Sequence, residues 1–280
     1  MRILGIVITY YPVVEEVIEN INQYIEYVDT LIIWENTPKE HRDTYQVNFP
    51  DPNKKVMHMS TGNNEGIANP INNCIEWVKG KNYSHILTMD QDSSWDNFND
   101  FVKSAELYEK RSGIAIMTPN INKCYSIEKE QIVNSFIISG ALFPIKVISQ
   151  LGTFNEKLFV DGVDLEYSLR ATRNNIKIVS FTYCHLKQNF GYPIKSKFFG
   201  FESNNYSAGR TYNIVKNHLF ILRRYYHTLT KLQRKMIIEA YILRRIVKVI
   251  LVEKDKRNKI KSIIKGCITG LKEPLIITFN

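Results

Sequence analysis

The run Ile3-Leu4-Gly5-Ile6-Val7-Ile8 is apolar without polar alternation, turns polar at Thr9 and is punctuated by Pro12. A strand of that composition has to be covered on both faces, a condition met in parallel sheets flanked by helices rather than in half-solvated antiparallel ones. The next segment supplies a cover. Val14, Val17, Ile18, Ile21, Ile25 and Val28 recur at three- and four-residue spacing among Glu15, Glu16, Glu19 and Asn20, predicting an amphipathic helix before a second apolar run at 31–34. Strand, helix and strand in this order form a β-α-β unit with a right-handed crossover and predict a doubly wound sheet.

The same grammar continues along the chain. It predicts a strand at 55–59, a Gly/Asn loop at 62–66, a helix at 68–78 and a strand at 85–89 that runs into Asp90. A helix at 98–111, strands at 114–117 and 132–138, two helical stretches after 141 and a strand at 176–181 follow. Such alternation places the chain in the α/β class. From Tyr212 onward the sequence reads as helices rich in Arg, Lys, Tyr and Ile, with no strand signal.

Composition narrows the setting. With 44% hydrophobic and 23% charged residues over 280 positions, the chain is an ordinary globular one with a sizeable core. Cys74, Cys124, Cys184 and Cys267 are widely spaced, with no CxxC pair, and are expected to be reduced thiols in a cytoplasmic protein. The N-terminus has one basic residue, Arg2, and a short apolar run with no small-residue cleavage site, so no secretion signal is expected, and no apolar stretch is long enough to span a membrane. The net charge of +9 is uneven: residues 201–280 carry 17 Lys and Arg against 5 Asp and Glu, leaving 20 against 23 in the rest. That tail could meet nucleic acid, an acidic substrate or an anionic membrane, and charge alone does not choose.

In open α/β sheets ligands bind beyond the carboxyl ends of the strands, so Thr9, Tyr10, Glu35, Asn36, Asp90 and Asp92, which follow apolar runs, are the first candidates. Two carboxylates one residue apart, as in Asp90-Gln91-Asp92, can share a hard cation that also reaches diphosphate oxygens; the plain alternative is a solvated acidic turn. The loop 62–66 opens a helix, where free N–H groups favour an anion, or else is an ordinary left-handed turn. Asp161, Asp164, Glu166 and Arg170 crowd a helix start, where one carboxylate either removes a proton from an acceptor hydroxyl or merely caps the helix. His185 follows a strand as a metal ligand or a structural residue. Apolar Ile237, Tyr241, Ile242, Ile246 and Ile250 alternate with Lys235, Arg244, Arg245 and Lys248, which suits a membrane surface and a core-packed helix equally.

In order, these pieces resemble the family 2 glycosyltransferases of GT-A fold, most closely their bacterial rhamnosyltransferase-like branch. Val7-Ile8-Thr9-Tyr10 resembles the opening strand and turn, and Ile33-Trp34-Glu35-Asn36-Thr37 the segment that meets the nucleotide base. Residues 64–72, with Asn64, Gly66 and Asn72, resemble the NxGxxxAxN pattern, and Asp90-Gln91-Asp92-Ser93 the metal-binding DxD. Ser139-Gly140-Ala141 is similar to the acceptor-side turn, residues 159–170 to the FxDxVDxExxxR helix, His185 to the late metal-side His, and residues 210–217 to the RxYYxxRN segment. The likeness covers about 3–220. Glu35 stands where Asp is commoner, and Gly162 replaces the second acid of the Glu-Asp pair, which leaves the base open between Asp161 and Asp164.

The resemblance implies a GT-A type, Rossmann-like sheet flanked by helices, with a basic helical C-terminal region. Residues 1–215 would form the catalytic domain, its nucleotide-sugar half at about 1–95 and its acceptor half at about 96–215, and 216–280 the extension. The implied reaction is an inverting transfer from a dTDP- or UDP-linked sugar, rhamnose on dTDP foremost, to a lipid-linked saccharide. Thr9, Tyr10, Glu35, Asn36, Asn64, Gly66, Asn72, Asp90 and Gln91 would hold the donor, and Asp90, Asp92 and His185 a Mg²⁺ or Mn²⁺ ion. Ser139, Gly140, Glu166 and Arg170 would lie on the acceptor side. The expected location is cytoplasmic and peripheral, at the inner face of the membrane through the basic tail, with no nucleic-acid partner. A nucleotidyltransferase would carry a Gly-rich basic loop where Thr9-Tyr10-Tyr11-Pro12 stands, and a non-catalytic binder would not need both Asp90 and Asp92.

Overall fold

The computed structural model describes residues 1–121, 128–188, 194–195 and 202–275. They form two compact units, the first holding the described residues of 1–156 and 167–188, the second those of 157–166 and 194–275. The expected boundary at 215 falls inside a continuous helix, Ala208–Arg224, whose Ile214, Val215 and Asn217 are buried.

The first unit is built on β1 (Ile3–Thr9), α1 (Val14–Asn22), β2 (Thr30–Glu35), α2 (Arg42–Tyr45), β3 (Val56–Met59), α3 (Ala68–Val78), β4 (His85–Asp90) and β5 (Ser93–Trp95). It continues with α4 (Phe98–Ser112), β6 (Ile116–Ile121), β7 (Glu130–Ile132), β8 (Leu142–Pro144), α5 (Ile145–Leu151), most of α6 (Val163–Arg173) and β9 (Ile178–Gln188). One sheet runs in the order β3-β2-β1-β4-β8-β6-β9-β5, with β7 on β9. Burial explains the strands: every residue of β1 except Ile8 is buried, as are positions 31–35 of β2, so neither alternates. Helix α3 buries Ile71, Cys74, Ile75 and Val78, the i, i+3, i+4, i+7 stripe of its sequence. Burial pushes the thiols of Cys74 and Cys184 up to about 12; Cys124 lies outside the described residues.

Three expectations are corrected. The sheet is mixed, because β8 runs antiparallel to both β4 and β6, and β5 and β7 run antiparallel to β9. Helix α1 stops at Asn22 instead of reaching Val28, since Gln23 Oε1 accepts the Trp95 N–H and Asn20 Nδ2 donates to Gln91 O, turning the helix end toward β5. The strand expected at 132–138 ends at Ile132. Val133 N–H still donates to Ile178 O at 2.9 Å, but farther on side chains take over: Phe136 N–H donates to Ser168 Oγ and Thr88 Oγ1 donates to Ile138 O.

The second unit holds the strand pair β10 (Ile194–Lys195) and β11 (Glu202–Ser203) and the helices α7 (Ala208–Arg224), α8 (Lys231–Ile238), α9 (Arg244–Leu251) and α10 (Lys256–Lys272). A π-helical turn, Glu239–Leu243, joins α8 to α9. Gly266 and Gly270 let α10 approach α7 closely: a Cβ on Gly270 would stand 2.6 Å from Lys216 O. Buried Val215, Leu219, Val249 and Ile263 form the core of this unit.

Candidate active site

Register brings the first candidates together. Ile8 pairs with both Trp34 and Asp90, and Thr9 with Glu35, so the carboxyl ends of β1, β2 and β4 meet at one sheet edge. Thr9 is buried and donates through Oγ1 to Trp34 O at 3.3 Å, while the Tyr10 ring after it is 47% exposed. Gln91 clamps that turn, accepting the Tyr10 N–H at 2.7 Å and donating to Tyr10 O at 3.2 Å. Tyr11 takes a left-handed φ of 46° and packs its ring edge-on to Tyr45 at 5.1 Å.

Glu35 is buried and already paired within the protein, with His58 Nδ1 at 3.0 Å and Arg42 Nε at 3.3 Å. Asn36 donates to Gly66 O at 2.7 Å and accepts the Glu65 N–H at 3.1 Å, so it ties the 62–66 loop to β2. Asn64 Oδ1 accepts the Gly66 N–H at 3.0 Å, an Asx turn that sets the positive φ of Gly66. Asn72 is likewise engaged, exchanging hydrogen bonds with the Phe154 backbone and donating to Glu156 Oε1 at 2.7 Å. These amides and Glu35 shape the loops around the carboxyl ends of β1 and β2, and beyond β1 the rings of Tyr10 and Tyr11 remain exposed.

The Asp90-Gln91-Asp92 turn is fixed from several sides. Ser139 Oγ accepts the Asp90 N–H at 3.0 Å and donates to Ser93 Oγ at 2.8 Å. Gly140 follows with φ 77°, and a Cβ there would stand 2.8 Å from Pro119 Cγ and 3.1 Å from Trp95, so only glycine lets this segment lie against β4. A register shift after Pro119 makes Asn120 pair with His185, and β9 then runs on to pair with β5, opposing Gln188 to Ser93. Gln188 Nε2 thereby donates to Asp90 Oδ2 at 2.7 Å, a contact that the sequence did not announce.

Among the described residues no three His, Cys, Asp or Glu side chains gather into a group that could hold a metal ion. His185 is therefore not joined to the two aspartates as expected, although its Nδ1 is buried with no hydrogen-bond partner. A hard divalent cation nevertheless takes one or two carboxylates together with waters and substrate phosphates. The Asp90 and Asp92 carboxylates, on one turn at the sheet edge, fit such an ion in the company of a diphosphate.

The second unit carries the other candidates. Phe159, Asp161 and Gly162 all have positive φ, 56°, 61° and 85°. This strained loop is held by Asn217, whose Nδ2 lies 2.5 to 2.8 Å from the carbonyls of Leu158, Val160 and Asp161. Arg210 grips both Asp161 oxygens, Nε on Oδ2 and Nη2 on Oδ1, each at 3.0 Å. Asp164 Oδ1 accepts the Leu165 N–H at 2.8 Å, and burial pushes its carboxyl up to about 6, with the Asp161 charge adding to the rise. Glu166 is fully buried and accepts a hydrogen bond from the Tyr225 hydroxyl, a structural contact. In the first unit Arg170 is also structural, donating to the carbonyls of Leu151 at 3.1 Å and Thr153 at 2.6 Å. The residues that sequence reasoning passed over, Arg210 and Asn217, lie at the two ends of the 210–217 segment, where the pattern was visible without its purpose.

A cavity of about 450 Å³ lies elsewhere in the first unit, lined by Val78, Lys81, Tyr83, Ile86, Ile148 and Gly152 at the start of β4. It offers no carboxylate and lies at the wrong strand end for this chemistry.

No family model matches the chain. It is 25% identical to the dTDP-rhamnosyl transferase RfbF of Shigella flexneri, over 97% of this chain and 96% of that protein. Among solved structures, GalNAc-T7 with UDP, GalNAc and Mn²⁺ superposes with a TM-score of 0.61 at 8% identity, covering 86% of this chain and 56% of that one. Staphylococcus aureus TarS 1–349 in complex with UDP-GlcNAc gives 0.58 at 12% identity, over 95% of this chain and 82% of that one. Full-length TarS gives 0.55 at 12% identity, over 98% and 50%. The chain thus spans about half the length of GalNAc-T7 and of full-length TarS. Its sheet and these likenesses show the GT-A type fold of glycosyltransferases, and along almost its whole length the chain is similar to a dTDP-rhamnosyl transferase.

Proposed function

We propose that the chain is an inverting, cation-dependent transferase that moves a sugar from a nucleotide diphosphate to a hydroxyl of a lipid-linked saccharide in bacterial surface polysaccharide synthesis. Rhamnose from dTDP-rhamnose is the donor favoured by the full-length similarity to RfbF, and a UDP-hexose is the alternative favoured by the neighbours solved with UDP. The observation that carries this reading is the fixed Asp90-Gln91-Asp92 turn beside the carboxyl ends of β1 and β2.

Thr9, Tyr10 and Tyr11 border the nucleoside, and the loops shaped by Glu35, Asn36 and Asn64 enclose it. Asp90 and Asp92 would be the side chains that hold Mg²⁺ or Mn²⁺ beside the donor diphosphate. When bound, the cation neutralises the charge that develops on the departing diphosphate. Asp164 is the base: with its carboxyl near 6 it is ionised at neutral pH yet still takes a proton. Asp161, bound at both oxygens by Arg210, holds the loop instead. The acceptor oxygen forms its bond to the anomeric carbon as the carbon–oxygen bond to the diphosphate breaks, and the hydroxyl proton passes to Asp164.

The tail fits a peripheral membrane role. In α9, Val249 is buried while Val247, Ile250 and Leu251 are 42 to 50% exposed, and Lys248 and Arg244 flank them. Of the two rival readings of this helix, core packing accounts for Val249, and the outward apolar residues support the membrane reading. Among the described residues no helix is long and apolar enough to cross a membrane.

Thermal melting tests the donor assignment. dTDP or UDP at 100 times its Kd should stabilise the protein by about 2.7 kcal/mol, and only with Mg²⁺ or Mn²⁺ present. No shift with either nucleotide, with or without cation, contradicts the reading.

A further inference from the structure

The second unit has a pair of rings that the reaction as described leaves unused. Tyr241 lies on the π-helical turn Glu239–Leu243, and its ring stacks on His218 with centroids 3.4 Å apart and planes 18° from parallel. His218 is buried and Tyr241 is 37% exposed, so one ring of the pair reaches the surface. π-Turns inside helices occur frequently at functional sites, where the extra residue re-aims a side chain.

The rings belong to the neighbourhood of the base. A Cβ on Gly162, which separates Asp161 from Val163 and Asp164, would stand 3.8 Å from His218 Cε1. His218 Nδ1 lies 2.7 Å from Ile214 O and donates to it, and burial pushes its pKa down to about 4, so the ring behind Tyr241 is neutral. After burial, the charges of Asp164 and Asp161, and then Tyr206, hold the Tyr241 hydroxyl above its usual range, as their proximity requires. Tyr206 lies between the guanidinium groups of Arg210, at 4.2 Å, and Arg245, at 5.0 Å, and so is fixed by cation–π contacts. Those cations are themselves neutralised, Arg210 by Asp161 and Arg245 by Glu253 at 3.2 Å. A surface of rigid aromatic rings beside a base, with its cations already paired, suits a neutral ligand with an apolar face and hydroxyl edges.

We propose that Tyr241, backed by His218, is the platform on which the terminal pyranose of the acceptor saccharide lies, its C–H face on the ring and one hydroxyl directed to Asp164. The inference rests on the transferase reading and on Asp164 as base. It reassigns one residue of the amphipathic tail from membrane or core to substrate.

The test uses the full chain, the donor found to turn over, and the octyl glycosides of glucose, galactose, rhamnose and N-acetylglucosamine as acceptor probes. Tyr241→Ala should raise the acceptor KM about tenfold, the effect of losing one aromatic contact, with a smaller change in kcat. Tyr241→Phe, which keeps the ring, should restore the KM to within about threefold on the same scale. The melting shift with nucleotide diphosphate shows that each variant is folded and holds donor. An unchanged KM in a folded Tyr241→Ala variant overturns the platform and leaves the transferase reading standing. So does donor hydrolysis by the wild type that none of the four glycosides accelerates. Absence of any donor turnover overturns both.

Discussion

Replacing Asp164 by Asn is expected to lower kcat for sugar transfer by about 10³-fold, within the range that a positioned general base contributes. The variant should still bind nucleotide diphosphate. Asn keeps an oxygen that can accept the Leu165 N–H, as Asp164 does at 2.8 Å, so what is removed is proton affinity rather than loop structure. The same carboxyl predicts the pH profile: with its pKa near 6, the rate of the wild type should fall tenfold per unit below about pH 6 as Asp164 protonates. Stability runs the other way. The folded pKa is raised from 3.8 to about 6, so the folded state binds the proton more tightly than the unfolded one between those values, and stability is lost as pH rises through that window. A shift of that size amounts to at most about 3 kcal/mol, and Asp164→Asn should melt higher than wild type at pH 7.5 and lose that advantage toward pH 4. An active Asp164→Asn variant would place the base elsewhere, and Asp161, held by Arg210, would be next in line.

Asp92→Ala should cost a further large factor, about 10²- to 10³-fold in kcat, matching what is lost when electrostatic stabilisation of a leaving group is withdrawn. The turn itself should survive, because Gln91 is fixed to Tyr10, Asn20 to Gln91 O, and Ser139 to Asp90 and Ser93. EDTA should reproduce the loss in the wild type and add nothing in the variant, and excess Mn²⁺ should restore only the wild type. Chelator-resistant turnover, or a fully active Asp92→Ala, removes the cation from the mechanism.

The elements between residues 3 and 90 were legible in the sequence, for a physical reason. Strands buried on both faces are written as unbroken apolar runs, so β1, β2 and β4 and the polar residues at their carboxyl ends could be read directly, and the stripe of α3 fixed that helix at 68–78. The strand expected beyond 132 failed because an apolar run cannot say whether its backbone will bond to a neighbouring strand or to Ser168 and Thr88 far along the chain. The antiparallel insertion of β8 is equally non-local. Polar residues after strands look alike in sequence whether they face a ligand or a neighbouring loop; Glu35 and Asn36 are occupied by side-chain and backbone partners that only the fold brings near. The proposed preference for Asp164 over Asp161 rests on Arg210, 49 residues from Asp161, and on the burial of Asp164, neither of which is local in sequence.

The central claim is cation-dependent transfer from a nucleotide sugar, and release of nucleotide diphosphate from dTDP-rhamnose and from a panel of UDP- and GDP-sugars, with Mg²⁺ or Mn²⁺ and with EDTA, tests it most directly. The account predicts release from one donor class, dTDP-rhamnose first, that stops when the cation is chelated. Release from none of them, by a folded protein whose melting no nucleotide shifts, would contradict it.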